Sequence, residues 1–322
     1  MDTLLDSGGW VTRGSSGPRI CALGGGHGLS ATLRALRHIT REVTAIVTVA
    51  DDGGSSGRLR SELGVLPPGD LRMALSALCD DSEWGLTWRD AIQHRFDSHG
   101  ALNGHALGNL LIVTMWDLLG DAIAGLDWVA KLLGCQGRVL PMAAVPMDIE
   151  ARINNEGYVT RLRGQARVAK ARGEVADVTL IPQDPPVFDE VLEAVAAADA
   201  LILGPGSWYT SVIPHLLVSA LREALERSRA KRIVVMNLES GKETEGLTAS
   251  DHLRALAHYA PDLTFDAVIA DPRLSRDCGD LEETARRLGA SVFRRSVGAQ
   301  DGSARHDPLR LAAALRDALE AL

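Results

Sequence analysis

The stretch TVADDGGSSGRLRSE brings together side chains that bind metal ions, sugars and phosphates. It ends an apolar run, and its acidic, hydroxyl and basic groups are Asp51, Asp52, Ser55, Ser56 and Arg58. Neighbouring carboxylates can hold Mg²⁺ or accept hydrogen bonds from sugar hydroxyls, and hydroxyls beside an arginine suit a phosphate. A plain turn needs far fewer polar groups. The stretch therefore predicts one wall of a ligand site, with Arg58 facing a phosphate and with Asp51 and Asp52 as candidate metal ligands.

A glycine-rich loop in ALGGGHGLSATLRAL connects a short apolar run to a helical pattern. Glycine lets the backbone approach a phosphate, and a helix N-terminus presents free N–H groups and the positive end of its dipole. Gly26 to Ala31 fits G-x-G-x-x-A, and the lack of GK[ST] excludes a Walker A loop. A tight strand–helix turn is the structural alternative. The residues of this candidate anion loop are Gly24, Gly25, Gly26, His27 and Gly28.

A second loop of the same kind, GPGSWYT, follows the apolar run ALIL and precedes another helical pattern. Two phosphate-type loops on one sheet favour an anionic ligand more strongly than one does. Trp208 and Tyr209 could stack on a base or a sugar, or could belong to the core. The candidate ligand residues of this loop are Gly204, Pro205, Gly206, Ser207, Tyr209 and Thr210.

Other polar residues stand beside these loops. Asp70 either caps a helix that begins after Pro68-Gly69 or takes part in the site. His105 and Asn109 are four residues apart, a spacing that places them on one helical face, and Asn109 is a candidate ligand residue. Asn237 and Glu239 follow another apolar run and could reach the same cleft.

Short apolar runs alternate with helical patterns along the chain. This alternation predicts an α/β fold with a Rossmann-like parallel sheet flanked by helices, whose ligands bind beyond the carboxyl ends of the strands. A mainly helical insertion near residues 67–130 is expected to cover those ends. The predicted strands are Arg19–Leu23, Val43–Val49, Val139–Met142, Val178–Pro182, Ala200–Leu203, Arg232–Leu238, Ala267–Ala270 and Ser291–Phe293. The predicted helices are Leu29–Arg37, Leu71–Leu78, Leu107–Leu119, Phe188–Ala197, Ser211–Arg227, Asp251–Tyr259 and Leu281–Leu288.

Composition narrows the class of protein. The chain has 322 residues, is 46% hydrophobic and carries a net charge of −8, which argues against a nucleic-acid partner. Residues 1–18 read as a disordered leader, followed by a single α/β domain over 19–322. No apolar run is long enough to span a membrane. The cysteines lie far apart without a CxxC pair, which favours buried reduced thiols: Cys21, Cys79, Cys135 and Cys278.

In their residues and in their order along the chain, these motifs resemble the CofD-like superfamily, and within it the YvcK-like gluconeogenesis factors. The resemblance rests on GGGHGLSATLRAL, VTAIVTVADDGGSSGRLR, LPPGDLRMALSAL, GHALGNLLI, GPGSWYTSVIPHLLV and GKETEGLTASDHL. It covers Arg19 to about Asp271. His27 stands where the family commonly has threonine, and NLESGKETEG replaces a segment that usually carries Thr-Gln-Pro-Gly-Glu-Thr.

The resemblance implies a cytoplasmic regulator that binds UDP-sugars such as UDP-N-acetylglucosamine and supports cell shape and wall-precursor supply during gluconeogenic growth. A UDP-sugar-binding regulator needs no cofactor, and Mg²⁺ is compatible with it. A homo-oligomer is also compatible with the sequence. The CofD branch implies an alternative, an Mg²⁺-dependent transfer of a phospholactyl group to a deazaflavin. A nicotinamide-dependent dehydrogenase is the second alternative, since it fits G-x-G-x-x-A and a strand-end acid but leaves the other loops unexplained.

Overall fold

The computed structural model describes residues 17–155 and 158–322, and it describes residues 275–279 through their backbone alone. The predicted leader lies outside these residues, apart from Gly17 and Pro18. Within the described residues, no helix is both long and apolar enough to cross a membrane.

A parallel sheet of seven strands forms the centre of the fold, as the sequence predicts. Its order is β10-β9-β8-β7-β1-β2-β3, and every pair of neighbours is parallel. The strands are apolar and mostly buried because helices cover both faces. Their bounds are β1 Ile20–Gly24, β2 Val43–Val47, β3 Arg138–Pro141, β7 Ala200–Leu203, β8 Lys231–Val235, β9 Ala267–Ala270 and β10 Ser291–Arg294.

The chain reverses its direction of travel across the sheet between β1 and β7. From β1 it proceeds to β2 and β3 on one side, and from β7 it proceeds through β8, β9 and β10 on the other. Because parallel crossovers are right-handed, such a reversal places the helices of the two halves on opposite faces. It also opens a crevice at the carboxyl ends of β1 and β7, where ligands of α/β proteins bind.

A second sheet of three antiparallel strands was not predicted. It has the order β5-β4-β6, with β4 at Asp148–Asn155, β5 at Tyr158–Arg163 and β6 at Glu174–Ile181. The predicted strand Val178–Pro182 is therefore wrong as a member of the parallel sheet, since most of it belongs to β6. The strand β5 is exposed along nearly its whole length, so no apolar pattern marks it.

Helices pack against both sheets and against one another. Helix α1 contacts α3 and α13, whereas α8 contacts α10 and α11 contacts α12. The bounds are α1 Gly26–Leu36, α2 Gly54–Leu63, α3 Gly69–Leu78, α4 Glu83–Gln93, α5 Leu107–Leu119, α6 Ala122–Leu132, α7 Gln165–Val168, α8 Asp189–Ala197, α9 Pro214–Leu217, α10 Ser219–Arg227, α11 Ala249–Tyr259, α12 Cys278–Arg287 and α13 Pro308–Ala321. Short 3₁₀ turns lie at Lys242–Thr244 and Pro272–Asp277.

Two predicted elements differ from the structure. The stretch GSSGRLRSEL, for which no helix was predicted, forms α2, and the residue after it, Gly64, has a left-handed conformation with φ of 67°. The single helix expected over Ser211–Arg227 is instead a π-helical turn at Trp208–Val212 followed by α9 and α10. Proline at the start of α9 lacks an amide hydrogen, which favours the break at that point.

The region near 67–130 is helical, as predicted, and comprises α3 to α6. Helix α3 lies beside α1 and contacts β2 and β3, so it packs along the main sheet. The N-terminal ends of α3 and α5 lie near the loops that follow the strands.

Candidate functional site

The two glycine loops meet at the crevice between β1 and β7. A Cβ atom on Gly28 would lie 2.1 Å from the carbonyl oxygen of Pro205 and 2.6 Å from the Cα of Gly206. The hydroxyl of Thr32 in α1 donates to the carbonyl oxygen of Gly204 at 3.0 Å. The predicted anion loops after β1 and β7 are therefore one continuous surface, and only glycine fits at position 28.

Asn237, which follows β8, fixes the second loop. Its side chain accepts from the N–H of Gly206 at 2.8 Å and donates to the carbonyl oxygen of the same residue at 2.8 Å. The N–H of Gly204 donates to Leu23. Two of the amides expected to bind phosphate are thus already used within the protein, and the exposed Ser207 is the residue of this loop best placed to meet a ligand.

Asn237→Ala is expected to lower the free energy of unfolding by about 2 kcal/mol, because each lost neutral hydrogen bond contributes about 1 kcal/mol. Urea unfolding measures the change. Glu239→Ala, at an exposed position of the same segment, serves as the control and should leave the midpoint in place. An equal midpoint for both variants would show that Asn237 does not hold the loop.

The floor of the first loop is built from three polar side chains. A Cβ atom on Gly25 would lie 2.5 Å from the methyl group of Thr48, 2.6 Å from Oδ2 of Asp70 and 3.4 Å from Oγ of Ser211. The hydroxyl of Thr48 is buried and has no hydrogen-bond partner among the described residues. Helix α1 begins above this floor without a capping side chain. The N–H of Gly26 already donates to Asp70, so the N–H groups of the first turn beyond Gly26 are the ones suited to an anion.

Asp70 lies close enough to Asp51 for their charges to interact, and it does not cap its own helix. Helix α3 begins at Gly69 after Pro68 and has no side-chain cap, so capping, one of the two alternatives for Asp70, is wrong. Burial, the nearby carboxylate of Asp51 and a partly offsetting hydrogen bond from the Gly26 N–H set the pKa of Asp70 at about 7. Two close carboxylates repel each other when both are ionised, which is the arrangement that a cation or a shared proton relieves.

Asp52 faces a different part of the molecule from Asp51. Its Oδ1 accepts from the N–H of Ala166 at 2.9 Å, at the start of α7, whereas Oδ1 of Asp51 accepts from the N–H of Gly53. The structure therefore does not unite Asp51 and Asp52 as a metal pair. Among residues 17–155 and 158–322, no group of three or more His, Cys, Asp or Glu side chains could hold a metal ion.

An open groove of about 530 Å³ lies on the side towards which Asp52 points. It separates α2 from the antiparallel sheet. Asp148 forms ion pairs on both sides of the groove, with carboxylate oxygens 2.6 Å from Arg60 and 2.6 Å from Arg163. Its lining residues are Asp52, Gly57, Arg60, Ser61, Asp148, Arg163, Gly164 and Arg167.

Ser55 joins α2 to α5 through a buried hydrogen-bond network. Its hydroxyl lies 2.9 Å from Nδ1 of His105 and accepts from Nδ2 of Asn109 at 3.0 Å. His105 precedes α5 and is not on its helical face, which corrects the predicted spacing argument, although both residues reach the same hydroxyl. Burial lowers the pKa of His105, and Arg58 adds to this effect. Asn109 also accepts from Nε of Arg72 at 2.9 Å, so the structure gives it a bracing role.

Arg58 and Ser56 leave α2 in different directions. The guanidinium of Arg58 donates to the carbonyl oxygens of Ala101 at 3.1 Å and Asn103 at 2.6 Å, so it is engaged with the segment before α5. The structure does not join it to the glycine loops, contrary to the expectation that it faces a phosphate. Ser56 is buried, and its Oγ would lie 2.3 Å from a Cβ on Gly69. Ser56 is thus the hydroxyl of α2 nearest to the start of α3.

The aromatic residues after the second loop belong to the core. Trp208 is fully buried, and its indole N–H donates to the carbonyl oxygen of His252 at 2.9 Å. The backbone N–H of Tyr209 donates to the buried carboxylate of Glu243 at 3.0 Å, and burial raises the pKa of that carboxylate. Tyr209 and Thr210 are likewise buried. Sequence reasoning missed Glu243 because it lies in a polar segment, GKETEG, far from the loop that it caps.

These features define an α/β protein of the Rossmann-like class with its candidate site at the point where the strand order reverses. The sequence profile described as 2-phospho-L-lactate transferase CofD matches residues 20–292. The chain belongs to the CofD family and, within it, to the gluconeogenesis factors.

The relatives named gluconeogenesis factor cover most of the chain. A Mycobacterium leprae protein that carries this name is 49% identical over 308 residues, which are 93% of this chain and 86% of the relative. The Gluconeogenesis factor of Bacillus subtilis is 35% identical over 319 residues, which are 94% of this chain and 98% of the relative. A crystal structure of a UPF0052-family protein from Bacillus halodurans superposes with a TM-score of 0.81 at 35% identity and covers 93% of this chain and 99% of that one.

Proposed function

We propose that this chain binds a UDP-sugar, such as UDP-N-acetylglucosamine, in the crevice between β1 and β7. The observation that carries the proposal is the direct contact of the two glycine loops at Gly28 and Pro205. This contact creates one glycine-lined surface at the N-terminus of α1, where an anion is stabilised by free N–H groups and by the helix dipole. A diphosphate linked to two sugars has the anionic centre and the flanking hydroxyls that such a surface can hold.

In this proposal, Gly24 to Gly28 and Ser207 contact the diphosphate, while Asp51 and Asp70 accept hydrogen bonds from ribose or sugar hydroxyls. The same two carboxylates fit Mg²⁺, which takes one or two protein carboxylates and completes its shell with water and phosphate oxygens. Bound Mg²⁺ would neutralise phosphate charge. Arg58, Asn109, Tyr209 and Thr210 act indirectly, through the contacts that hold the surrounding segments.

We further propose that ligand binding makes the chain a cytoplasmic regulator of cell shape and wall-precursor supply under gluconeogenic growth. The names of its relatives support the link to gluconeogenesis. Ligand binding and the proposed regulation both depend on the anion surface, and neither requires a chemical reaction.

Calorimetric titration tests the proposed ligand. We expect UDP-N-acetylglucosamine to bind and NAD⁺ not to bind, because the site offers two anion loops where a dinucleotide fold uses one. A ligand at about 100 times its dissociation constant should add about 2.7 kcal/mol to the free energy of unfolding. Binding of NAD⁺ without binding of the UDP-sugar would favour the dehydrogenase alternative and contradict the proposal.

A transferase is the second candidate, favoured by the match to the phospholactate transferase profile and by the Asp51–Asp70 pair. Two carboxylates could hold the Mg²⁺ that neutralises a transferred phosphoryl group. Incubation with CofD-type substrates and Mg²⁺, followed by mass spectrometry, separates the two candidates. We expect no product, and repeated turnover would establish the transferase instead.

A further inference from the structure

Two cysteines that are far apart in the sequence lie side by side in the fold. Cys79 directly follows α3, and Cys135 lies between α6 and β3. The two residues form an isolated antiparallel bridge. The N–H of Gln136 donates to the carbonyl oxygen of Leu78 at 2.8 Å. Because this bond joins the residues that flank the two cysteines, Cys79 and Cys135 form a non-hydrogen-bonded pair of the antiparallel type.

This backbone arrangement meets the requirements of a disulfide. Directly opposed residues of such a pair have Cα atoms about 4.5 Å apart with their side chains close together, and disulfides form at Cα separations of about 4.4 to 6.8 Å. The two thiols also point in the same direction. The Sγ atoms of Cys79 and Cys135 lie 3.5 Å and 3.3 Å from one acceptor, the carbonyl oxygen of Leu75.

The two thiols are linked by a hydrogen bond and lie near cationic groups, and Arg37 lowers the pKa of both. A hydrogen bond with Cys135 lowers the pKa of Cys79, and the guanidinium groups of Arg37 and Arg89 act in the same direction, whereas burial opposes them. The pKa of Cys135 is raised by its hydrogen bond with Cys79 and by burial. Arg37 has a buried Nε without a hydrogen-bond partner among the described residues. The nearby guanidinium groups therefore favour ionisation within the pair, and Cys135 is the more exposed of the two thiols, since Cys79 is buried.

We propose that Cys79 and Cys135 are a redox modification site that a peroxide converts reversibly to an intramolecular disulfide. One thiolate of the pair attacks a peroxide oxygen, the O–O bond breaks, and the hydroxide that leaves takes up a proton to become water. The sulfur of the other cysteine then attacks the resulting sulfenic sulfur, forms the S–S bond and displaces a second hydroxide, which takes up the other proton. Two thiols and hydrogen peroxide thus give one disulfide and two water molecules.

The link would join both ends of the helical segment α4–α6. Helix α3 runs from Gly69 and Asp70, at the candidate site, to Cys79 at its opposite end. Oxidation would fix that end to the residues that lead into β3. The modification would thereby restrain the segment that supplies His105 and Asn109 to the site, and it does not depend on which ligand binds there.

Peptide mapping of the full chain tests the proposal. Reduced protein is treated with hydrogen peroxide, alkylated and digested without reductant. We expect a linked pair of peptides containing Cys79 and Cys135 that is two hydrogens lighter than the separate peptides and is released by dithiothreitol. Closing a loop of this length should raise the melting temperature by about 5 °C.

Matched variants identify the pair. Cys21→Ala, at a buried thiol of β1, should leave the linked peptides unchanged, and Cys135→Ala should abolish them. If Cys135→Ala does not fold, peptide mapping of the wild-type chain alone still decides whether Cys79 and Cys135 become linked. Alkylation of both thiols after peroxide treatment, separate sulfinic acids, or a link to any other cysteine would overturn the proposal.

Discussion

Asp70→Asn is expected to raise the free energy of unfolding at pH 8.5 and to remove most of its decline between pH 5.5 and pH 8.5. The pKa of Asp70 is about 7 in the folded chain against an ordinary value of 3.8. Between pH 3.8 and about 7, the Asp70 carboxyl therefore keeps its proton in the folded state and has lost it in the unfolded state. Stability from this group is complete below pH 3.8 and is lost as the pH rises through about 7. The difference in pKa corresponds to at most about 4 kcal/mol.

Urea unfolding at several pH values measures this effect. In the wild-type chain, Asp70 should account for a loss of about 2 kcal/mol between pH 5.5 and pH 8.5, and the asparagine variant should lack this component. Asp97→Asn, at an exposed position before α5, is the control and should follow the wild-type profile. Parallel profiles for the wild type and Asp70→Asn would show that Asp70 is ionised and solvated.

The same variant separates a cation from a shared proton. If Mg²⁺ occupies the Asp51–Asp70 pair, it should raise the melting temperature of the wild-type chain at pH 8.5 and have little effect on Asp70→Asn. A bound cation relieves the repulsion between two ionised carboxylates, and asparagine leaves only one of them charged. An equal response of both chains to Mg²⁺ would place the ion elsewhere.

Gly28→Ala should cost about 3 kcal/mol of stability and abolish ligand binding. The new methyl group would lie 2.1 Å from the carbonyl oxygen of Pro205, and that oxygen cannot move aside as a flexible side chain can. Overpacking a tight contact costs about 1 to 3 kcal/mol, and the upper end applies because the obstacle is backbone. Relief requires the two loops to separate, which would take apart the proposed anion surface.

Thermal unfolding and calorimetric titration read out both effects. The matched control is Gly100→Ala, since Gly100 has nothing within 4 Å of its added Cβ. The control should keep both its melting temperature and its affinity for UDP-N-acetylglucosamine. Full affinity in a folded Gly28→Ala chain would show that the contact between the two loops does not shape the binding surface.

The parallel sheet could be predicted because its strands are continuous apolar runs separated by helical patterns. The antiparallel sheet was missed, because β5 reads YVTRLR and is exposed, while β4 alternates polar and apolar residues. That alternation is typical of a half-buried strand and differs from the continuous apolar runs that predict the strands of the parallel sheet. Helix α2 was missed for a similar reason. Its sequence, GSSGRLRSEL, is rich in glycine and serine, and its helical form depends on tertiary contacts such as the buried Leu59.

The candidate site likewise has features that could be predicted from the sequence and features that could not. The positions of the glycine loops follow from the strand–helix pattern, since parallel strands end at one edge of the sheet. The partners of individual side chains do not follow from it. Asp51 and Asp52 are adjacent in the sequence but point to different neighbours. The approach of Asp70 to Asp51 depends on the packing of α3 against α1 and β2. Likewise, no spacing rule indicates that Cys79 and Cys135 meet.

The reversal in strand order has a consequence for biosynthesis. Strand β7 pairs directly with β1, and the hydrogen bond from Thr32 to Gly204 spans 172 residues. While the ribosome is still translating the intervening segments, β1 has an unpaired edge and only half of the anion surface exists. Nascent chains are therefore exposed to edge-to-edge association until β7 emerges. A ligand that requires both loops would select chains in which β7 has paired with β1.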